Sequence, residues 1–226
     1  SDRPPCAGSS PSSPVRADAT TLPGVIQQRG VVALYGVGSM GGAILDGLLA
    51  ARDEDAPEVL VVVRRAEQAT ELSRDLAAMG HTVVSGLAYG VDQAAHRGAL
   101  VAGGPTIAVL PGGVDRPYPA AHAQLLEAIA ERGLVVSEAP PGAGPTRTRF
   151  LARNRIVAGL AEGTVVVEGA VRSGAINTAH WTTNLHRPLM GVPGPVSSVA
   201  STGVNQLIRL GQASAVTNAQ DVIRSE

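Results

Sequence analysis

The feature that most constrains the fold is a repeated alternation of short β-branched runs with helical patterns. The apolar runs lie at 31–35, 58–63, 81–85, 106–110, 134–137, 163–168 and 187–192. The helical patterns lie near 40–51, 66–79, 90–102, 119–132, 152–161, 174–185 and 203–210. Strands that alternate with helices are joined by crossovers and form parallel sheets. We therefore predict an α/β fold, a doubly wound and mostly parallel sheet of about seven strands with helices on both faces.

Length and composition favour a single main domain behind a loose leader. The chain has 226 residues, of which 44% are hydrophobic, enough for one good core. Residues 1–28 are rich in Ser, Pro, Ala and Gly and predict a disordered leader, so 29–226 is expected to form one Rossmann-like domain. The single Cys6 lies in that leader, and no apolar run approaches the roughly 18 residues of a membrane span. These features predict a cytoplasmic protein with no membrane association.

The charge pattern requires that any anion site be local. The formal net charge is −1, so no global basic field marks a nucleic-acid binder. All 18 basic residues are arginines and none is lysine. Arginine suits bidentate phosphate contacts, but a GC-rich genome produces the same bias, and we favour that explanation of the composition.

A glycine-rich loop after the first predicted strand indicates a dinucleotide site. It fits G-x-G-x-x-G and consists of Gly36, Val37, Gly38, Ser39, Met40 and Gly41. Such a loop lets a pyrophosphate approach backbone N–H groups at a helix N-terminus. Arg64 and Arg65 end the next predicted strand, where a basic residue favours the 2′-phosphate of NADP. The alternative, a tight turn followed by a solvated strand end, has equal weight.

Three later loops have the composition of phosphate-binding turns. The first contains Ser85, Gly86, Tyr89 and Gly90, the second Arg116 and Tyr118, and the third Ser173 and Gly174. Backbone amides at a helix N-terminus bind anions, and a neighbouring ring stacks on a base. Each loop also has a purely structural explanation, as an N-cap, a packing glycine or a proline-stiffened turn.

The densest basic segment is a helix start. Four arginines and one asparagine fall within nine positions, Arg147, Arg149, Arg153, Asn154 and Arg155. Because a helix presents its side chains around a full circle, Arg155 points away from Arg149 and Arg153. We therefore expect Arg155 to be partly structural, through an ion pair with Glu138 or Glu168.

Taken together, the segments from about 71 to 223 resemble the DNA-processing protein A (DprA/Smf) family. They are SGLAYGVDQAAHRGAL, TIAVLPGGVDRPYPAAH, GLVVSEAPPG, FLARNRIVAGL, VVVEGAVRSGAINTAHWT, GVPGPVSS and GVNQLIRLGQA. The resemblance implies an extended Rossmann fold that binds single-stranded DNA, forms a homodimer and passes strands to the RecA recombinase during natural transformation. It implies no catalytic residues, no metal and no required cofactor.

Carried over to this chain, the resemblance assigns DNA or phosphate binding to a specific set of residues. They are Ser85, Gly86, Tyr89, Gly90, Arg116, Tyr118, Arg153, Asn154, Arg155, Ser173 and Gly174. One departure concerns the first loop, because the family has an arginine there and this chain has Met40.

Residues 31 to about 69 resemble instead the amino-terminal βαβ unit of pyrroline-5-carboxylate reductases, so the chain looks like a chimera of that unit with a DprA-like portion at 71–226. Two alternatives to DNA binding follow. One is an NADP-binding module at Gly36, Gly38 and Gly41, and the other is a scaffold without either activity. Enzymatic activity is not expected, because the histidines, His96, His122, His180 and His186 among them, are scattered and no nucleophile, base and acid occur together.

Overall fold

The computed structural model describes residues 30–33, 59–63 and 66–225. Within them, eight strands pair in parallel throughout, in the order β1-β5-β4-β3-β2-β6-β7-β8. The strands are β1 Gly30–Ala33, β2 Val59–Val63, β3 Thr82–Ser85, β4 Thr106–Leu110, β5 Leu134–Ser137, β6 Gly163–Val166, β7 Leu189–Gly191 and β8 Ser214–Ala215. The predicted α/β class with a parallel sheet is confirmed.

Helices connect successive strands across the faces of this sheet. They are α1 Ala66–Ala78, α2 Val91–Val101, α3 Ala123–Arg132, α4 Arg147–Leu160, α5 Gly174–Asn184, α6 Thr202–Arg209 and α7 Ala219–Arg224. Short 3₁₀ turns, Ala120–His122 and Val199–Ser201, lead into α3 and α6. Helix α4 begins five residues before the predicted start at 152, because the Thr146 side chain accepts a hydrogen bond from the Arg149 amide and caps the helix there.

The strand order reverses at α4, and this reversal places the site. From β2 the chain adds β3, β4 and β5 on one side, and α4 then returns it to the other side, where β6 pairs with β2. In open parallel sheets, ligands bind beyond the carboxyl ends of the strands at such a switch point. The loops after β3 and β6 therefore lie where a ligand is expected.

Alternate residues of single strands pack into separate cores, so helices cover both faces. Val83 packs with α1, α2 and α7, whereas its neighbour Val84 packs with Ile156 and Val157 of α4. In β6, Val165 joins the first of these cores and Val166 packs with α5 and α6. Side chains of a strand point alternately to the two faces, and this sheet buries both.

The strand count differs from the predicted seven. The sheet has eight strands among the described residues. Strands β5, β4 and β3 form a group of three on one side of β2, and β6, β7 and β8 form another on its other side, with β1 at the edge beside β5. The additional strand, β8, consists of two exposed residues, Ser214 and Ala215, so no apolar pattern in the sequence predicts it. Within the described residues, none of the helices is both long and apolar enough to span a membrane.

Helices α1 and α2 approach closely because of a glycine. A Cβ added to Gly98 of α2 would lie 2.3 Å from the Thr70 carbonyl oxygen of α1. That contact is far inside van der Waals distance, and its partner is backbone that cannot turn aside. The two helices therefore require a residue without a side chain at this position.

His96 of α2 is buried beneath the site in neutral form. Its Nδ1 atom lies 2.7 Å from the Thr106 hydroxyl oxygen, and that hydroxyl donates to the Val83 carbonyl at 2.7 Å. Because the hydroxyl has one proton and the carbonyl can only accept, Nδ1 of His96 is the donor to Thr106. Burial lowers the pKa of His96 to about 4, so its imidazole is uncharged at neutral pH.

We predict that Gly98→Ala destabilises the protein although alanine is the better helix former. The helix propensity gain is about 1 kcal/mol, whereas overpacking against a fixed backbone typically costs about 1–3 kcal/mol. Urea unfolding measures the difference. Gly159→Ala in α4 is the matched control, because its Cβ would meet nothing within 4 Å, and a larger loss there than at position 98 would contradict the prediction.

We predict that His96 makes the protein less stable as the pH falls. Its folded pKa of about 4 lies below the ordinary 6.5, so between these values the unfolded chain binds a proton that the folded chain does not. The free energy of unfolding should therefore decrease through this window, by roughly 3 kcal/mol in total. In His96→Asn this pH-dependent loss of stability should disappear, whereas it should remain in His180→Asn, which replaces an exposed histidine. Plots of unfolding free energy against pH that run parallel for the parent and His96→Asn would contradict the prediction.

Candidate functional site

A cavity of about 230 Å³ lies between the loops after β3 and β6 and helix α4. Residues of all three segments line it, and all of them lie near the carboxyl edge of the sheet. They are Ser85, Gly86, Ala88, Tyr89, Asp92, Phe150, Leu151, Arg153, Asn154, Val157, Ser173, Gly174, Ala175 and Thr178. The chain thus brings together residues up to about ninety positions apart.

The guanidinium group of Arg153 is fixed inside the wall of this cavity. The residue is 7% exposed, its Nη1 donates to the Val109 carbonyl at 2.8 Å, and its Nη2 lies 3.6 Å from Oδ2 of Asp92. Burial lowers the pKa of Arg153, and the Asp92 carboxylate opposes that shift by attracting the charged form. Within the described residues, its buried Nε has no hydrogen-bond partner. A cation is therefore held in place here with part of its donor capacity unused.

Position 86 requires glycine because the guanidinium of Arg153 occupies the space that a side chain there would fill. A Cβ at Gly86 would lie 1.3 Å from Nη1 of Arg153 and 1.9 Å from its Cζ. The flat guanidinium therefore lies directly against the backbone of the loop after β3. The carboxylate of Asp92 ties the same loop from within, because it also accepts a hydrogen bond from the Ala88 amide at 3.1 Å.

Two helix N-termini meet the cavity. Helix α2 begins after Gly90, whose φ of 89° suits glycine, and α5 begins after Ser173, whose hydroxyl accepts the Ile176 amide at 3.4 Å. The first amides of a helix have no partner within the helix, and the helix dipole adds partial positive charge there. The Asp92 carboxylate also lines the cavity and offsets the charge of Arg153, so it is the two helix N-termini that suit the cavity to an anion.

An open groove of about 680 Å³ continues from the cavity. The two share Phe150, Leu151, Ser173 and Gly174, and the groove adds Tyr118, Pro145, Thr146, Arg147 and Arg172. The rings of Tyr118 and Phe150 pack edge to face with centroids 5.6 Å apart, and Tyr118 is 44% exposed. Arg147 and Arg172 are exposed. The groove therefore presents cations and an aromatic face side by side.

Most of the site residues predicted from the sequence lie together. Those that line the cavity are Ser85, Gly86, Tyr89, Arg153, Asn154, Ser173 and Gly174. Tyr118 lines the groove, and Gly90 adjoins the cavity as the residue before α2. Arg116 is exposed but belongs to the lining of neither.

Two of the predicted binding residues make contacts within the protein. Arg155 is half-buried and forms an ion pair with Glu138, one of the two partners expected for it, and it is not among the residues that line the cavity. Asn154 donates from Nδ2 to the Gly174 carbonyl at 3.3 Å and to Oδ1 of Asn177 at 3.1 Å. Both amide hydrogens of Asn154 thus hold the start of α5, and it shapes the site more than it offers donors to a ligand.

Four further residues line the cavity or the groove and were not predicted as site residues: Phe150, Arg147, Arg172 and Asp92. Phe150, the only phenylalanine of the chain, follows Arg147 by three positions, a spacing that places both on one helix face. This spacing could have predicted from the sequence that Phe150 lies beside Arg147. The approach of Arg172 from the loop after β6 had no signal in spacing, because the pairing of strands decides it.

The other hypotheses concern residues that the structure does not describe. Gly36, Gly38, Ser39, Met40, Gly41, Arg64 and Arg65 lie outside the described ranges, as do the leader 1–28 and the predicted helix at 40–51. NADP binding and the reductase-like unit therefore stay predictions. Among residues 66–225, no three His, Cys, Asp or Glu side chains form a group that could hold a metal ion.

Comparison with known proteins identifies what this arrangement is similar to. The family model described as DNA recombination-mediator protein A matches residues 62–226. A DprA protein of Mycobacterium tuberculosis is 51% identical over 178 residues, which are 76% of this chain and 46% of that protein. The chain thus spans about half the length of such relatives.

Two solved structures with at least 30% sequence identity to this chain have a similar fold. DNA processing protein A from Streptococcus pneumoniae has a TM-score of 0.70 and 39% identity, covering 74% of this chain and 61% of that one. The Helicobacter pylori protein, whose structure concerns its single-stranded DNA binding mode, has a TM-score of 0.69 and 30% identity, covering 76% of this chain and 80% of that one.

We predict that Gly86→Ala strongly destabilises the protein, because the new methyl group would displace the guanidinium of Arg153 and leave Asp92 buried without its partner. Breaking a buried ion pair typically costs about 3–5 kcal/mol. Urea unfolding monitored by circular dichroism measures the loss. The matched control is Gly174→Ala, whose Cβ would meet only Nδ2 of Asn154, at 4.0 Å; equal stability of the two variants would contradict the assignment.

Proposed function

The chain belongs to the DNA recombination-mediator protein A family, and we propose on that basis that its cavity and groove bind single-stranded DNA. The observation that carries the proposal is the meeting of two helix N-termini and the buried Arg153 guanidinium in one cavity. A phosphodiester is an anion of the kind that helix N-termini bind. The groove beside the cavity explains why we expect a single strand to bind in preference to a duplex.

The cavity supports binding of one backbone phosphate. Its positive groups are the backbone amides of α2 and α5 and a guanidinium that the fold holds in place, so little side-chain entropy is lost when the anion arrives. Arg153 contributes mainly by fixing the loop after β3, because its Nη1 and Nη2 donors already face Val109 and Asp92 and the Asp92 carboxylate offsets its charge. The Ser173 hydroxyl and the first amides of α5 are the direct donors that we assign.

The groove supports binding of the neighbouring nucleotides. Arg147 and Arg172 are exposed cations that line the groove together with Ser173 and Gly174, and Tyr118 presents a half-exposed ring held by Phe150. Every base has a π-face on which such a ring can stack without regard to sequence, but a base within a duplex is already stacked. The arrangement therefore favours unpaired strands of any sequence.

The titratable groups near the cavity support binding rather than catalysis. Asp92 is engaged by Arg153 and the Ala88 amide, and His96 is buried, neutral and bonded to Thr106. A general base needs a free lone pair within reach of the reacting group. Neither residue offers one to a strand in the groove, so we assign the site a binding role without bond cleavage.

We also propose that the chain acts as a homodimer that passes its strand to the RecA recombinase. Support comes from membership of a family described as recombination mediators and from the resemblance of the segments at 71–223. Both statements concern the full-length relatives, of which the matched residues cover about half. Sedimentation velocity of the chain, alone and mixed with RecA on oligo-dT, tests the two together.

We predict that Arg147→Ala/Arg172→Ala weakens binding of fluorescein-labelled oligo-dT and makes it less sensitive to salt. Each lost phosphate contact on a single strand should reduce the slope of log K against log salt by about 0.7, so the double variant should lose about 1.4. Fluorescence anisotropy across a salt series measures both effects. These two arginines have no described internal contact, so the variant should keep its fold.

The matched control is Arg132→Ala/Arg209→Ala. It removes the same charge from two exposed arginines that end α3 and α6, at the amino edge of the sheet. Its affinity and salt slope should equal those of the parent. Equal losses in both double variants would mean non-specific attraction, and no binding by the folded parent at low salt would overturn the proposal. An unlabelled duplex of equal length should compete less well than the single strand.

A further inference from the structure

A buried histidine, His122, supports the loop after β3. His122 ends the 3₁₀ turn Ala120–His122 and is 3% exposed. Its Nδ1 lies 2.9 Å from the Leu87 carbonyl oxygen, which can only accept, so Nδ1 carries the proton and donates. The hydrogen bond joins two segments that are 35 residues apart in the sequence.

The loop needs this support because its backbone is unusual. Leu87 has a φ of 58° and Gly90 a φ of 89°. Only glycine adopts such angles freely, and a leucine in this region stays there only when its surroundings hold it. Three contacts do so here. The Leu87 side chain is fully buried, its carbonyl accepts from His122, and the next amide, of Ala88, donates to Asp92.

The same histidine contacts the exposed ring of the loop. Tyr89 is 62% exposed and lines the cavity, and its ring lies edge to face on His122, with centroids 4.8 Å apart and planes at 67°. Tyr89 is thus an exposed aromatic ring with one contact that orders it. Tyr118 has the same arrangement, because Phe150 packs against it edge to face.

We propose that Tyr89 is a second base-stacking platform, beside the phosphate cavity, and that His122 is the residue that positions it. The proposal rests on the proposed function and assigns part of the strand's binding energy to this ring. His122 does not touch the strand. It acts through the Leu87 carbonyl, which sets the backbone of the loop, and through its edge contact with the Tyr89 ring.

Two oligomers of equal length separate stacking from phosphate binding. One is oligo-dT, and the other is an abasic oligomer of tetrahydrofuran sites with the same phosphates but no bases. The ratio of their dissociation constants reports the contribution of stacked bases. Tyr89→Ala should reduce the preference for oligo-dT by roughly 5- to 150-fold while leaving binding of the abasic oligomer nearly unchanged.

Substitutions at His122 then test positioning. In His122→Phe the ring edge stays but the donor to Leu87 is lost, so the preference for oligo-dT should fall toward that of Tyr89→Ala. In Tyr89→Ala/His122→Phe it should fall no further, because both changes remove the same platform. In His122→Asn the side-chain amide can take the place of Nδ1 as donor, so part of the preference should return.

The possible results distinguish the positioning role of His122 from the stacking role of Tyr89. Merely structural support by His122 predicts lower thermal stability with an unchanged preference for bases, and that result would overturn the positioning role. An unchanged preference in Tyr89→Ala, an exposed position whose replacement should not unfold the chain, would overturn the platform itself. Failure of the parent to bind either oligomer would overturn the proposed function and this inference with it.

Discussion

The structure of the site depends on one buried interaction, between the guanidinium of Arg153 and the carboxylate of Asp92. Each charge loses water on burial, and the loss is recovered only because Val109 and Ala88 supply further hydrogen bonds to the pair. The arginine comes from α4 and the aspartate from α2, so the ion pair joins the helices on the two faces of the sheet around its carboxyl edge. The cavity keeps its shape because this pair keeps its geometry.

The requirements of that pair extend to neighbouring positions. Gly86 can carry no side chain because the guanidinium lies on its backbone. The loop after β3 must turn sharply over this cation, and it does so through a buried Leu87 with positive φ and through Gly90. Asn154, next to Arg153, fixes the start of α5 by bonds to Gly174 and Asn177. A short stretch of α4 thus positions both loops that form the cavity.

The arginines of α4 separate into different roles once the helix is placed. Arg153 faces the interior, Arg155 pairs with Glu138, and Arg147 is exposed at the groove. Seen as a cluster in the sequence, they indicated one cationic patch with Arg155 partly structural. The pairing of Arg155 was foreseeable because a helix turns its side chains through about 100° per residue. The burial of Arg153 was not, because it requires a carboxylate from a helix more than fifty positions earlier.

The sequence by itself determined the α/β class and the parallel sheet, because these follow from the alternation of apolar runs and helical patterns, and glycines at the strand ends predicted the edge at which we propose that the ligand binds. Resemblance in the ordered segments at 71–223 determined the family. Only the tertiary structure decided the strand order, the two-residue β8, the orientation of Arg153 toward Asp92, and the placement of Arg172 in the same groove as Phe150 and Tyr118. Local patterns record which face of an element is buried, whereas these contacts depend on which elements lie next to one another, and that is settled by packing between residues far apart in the chain.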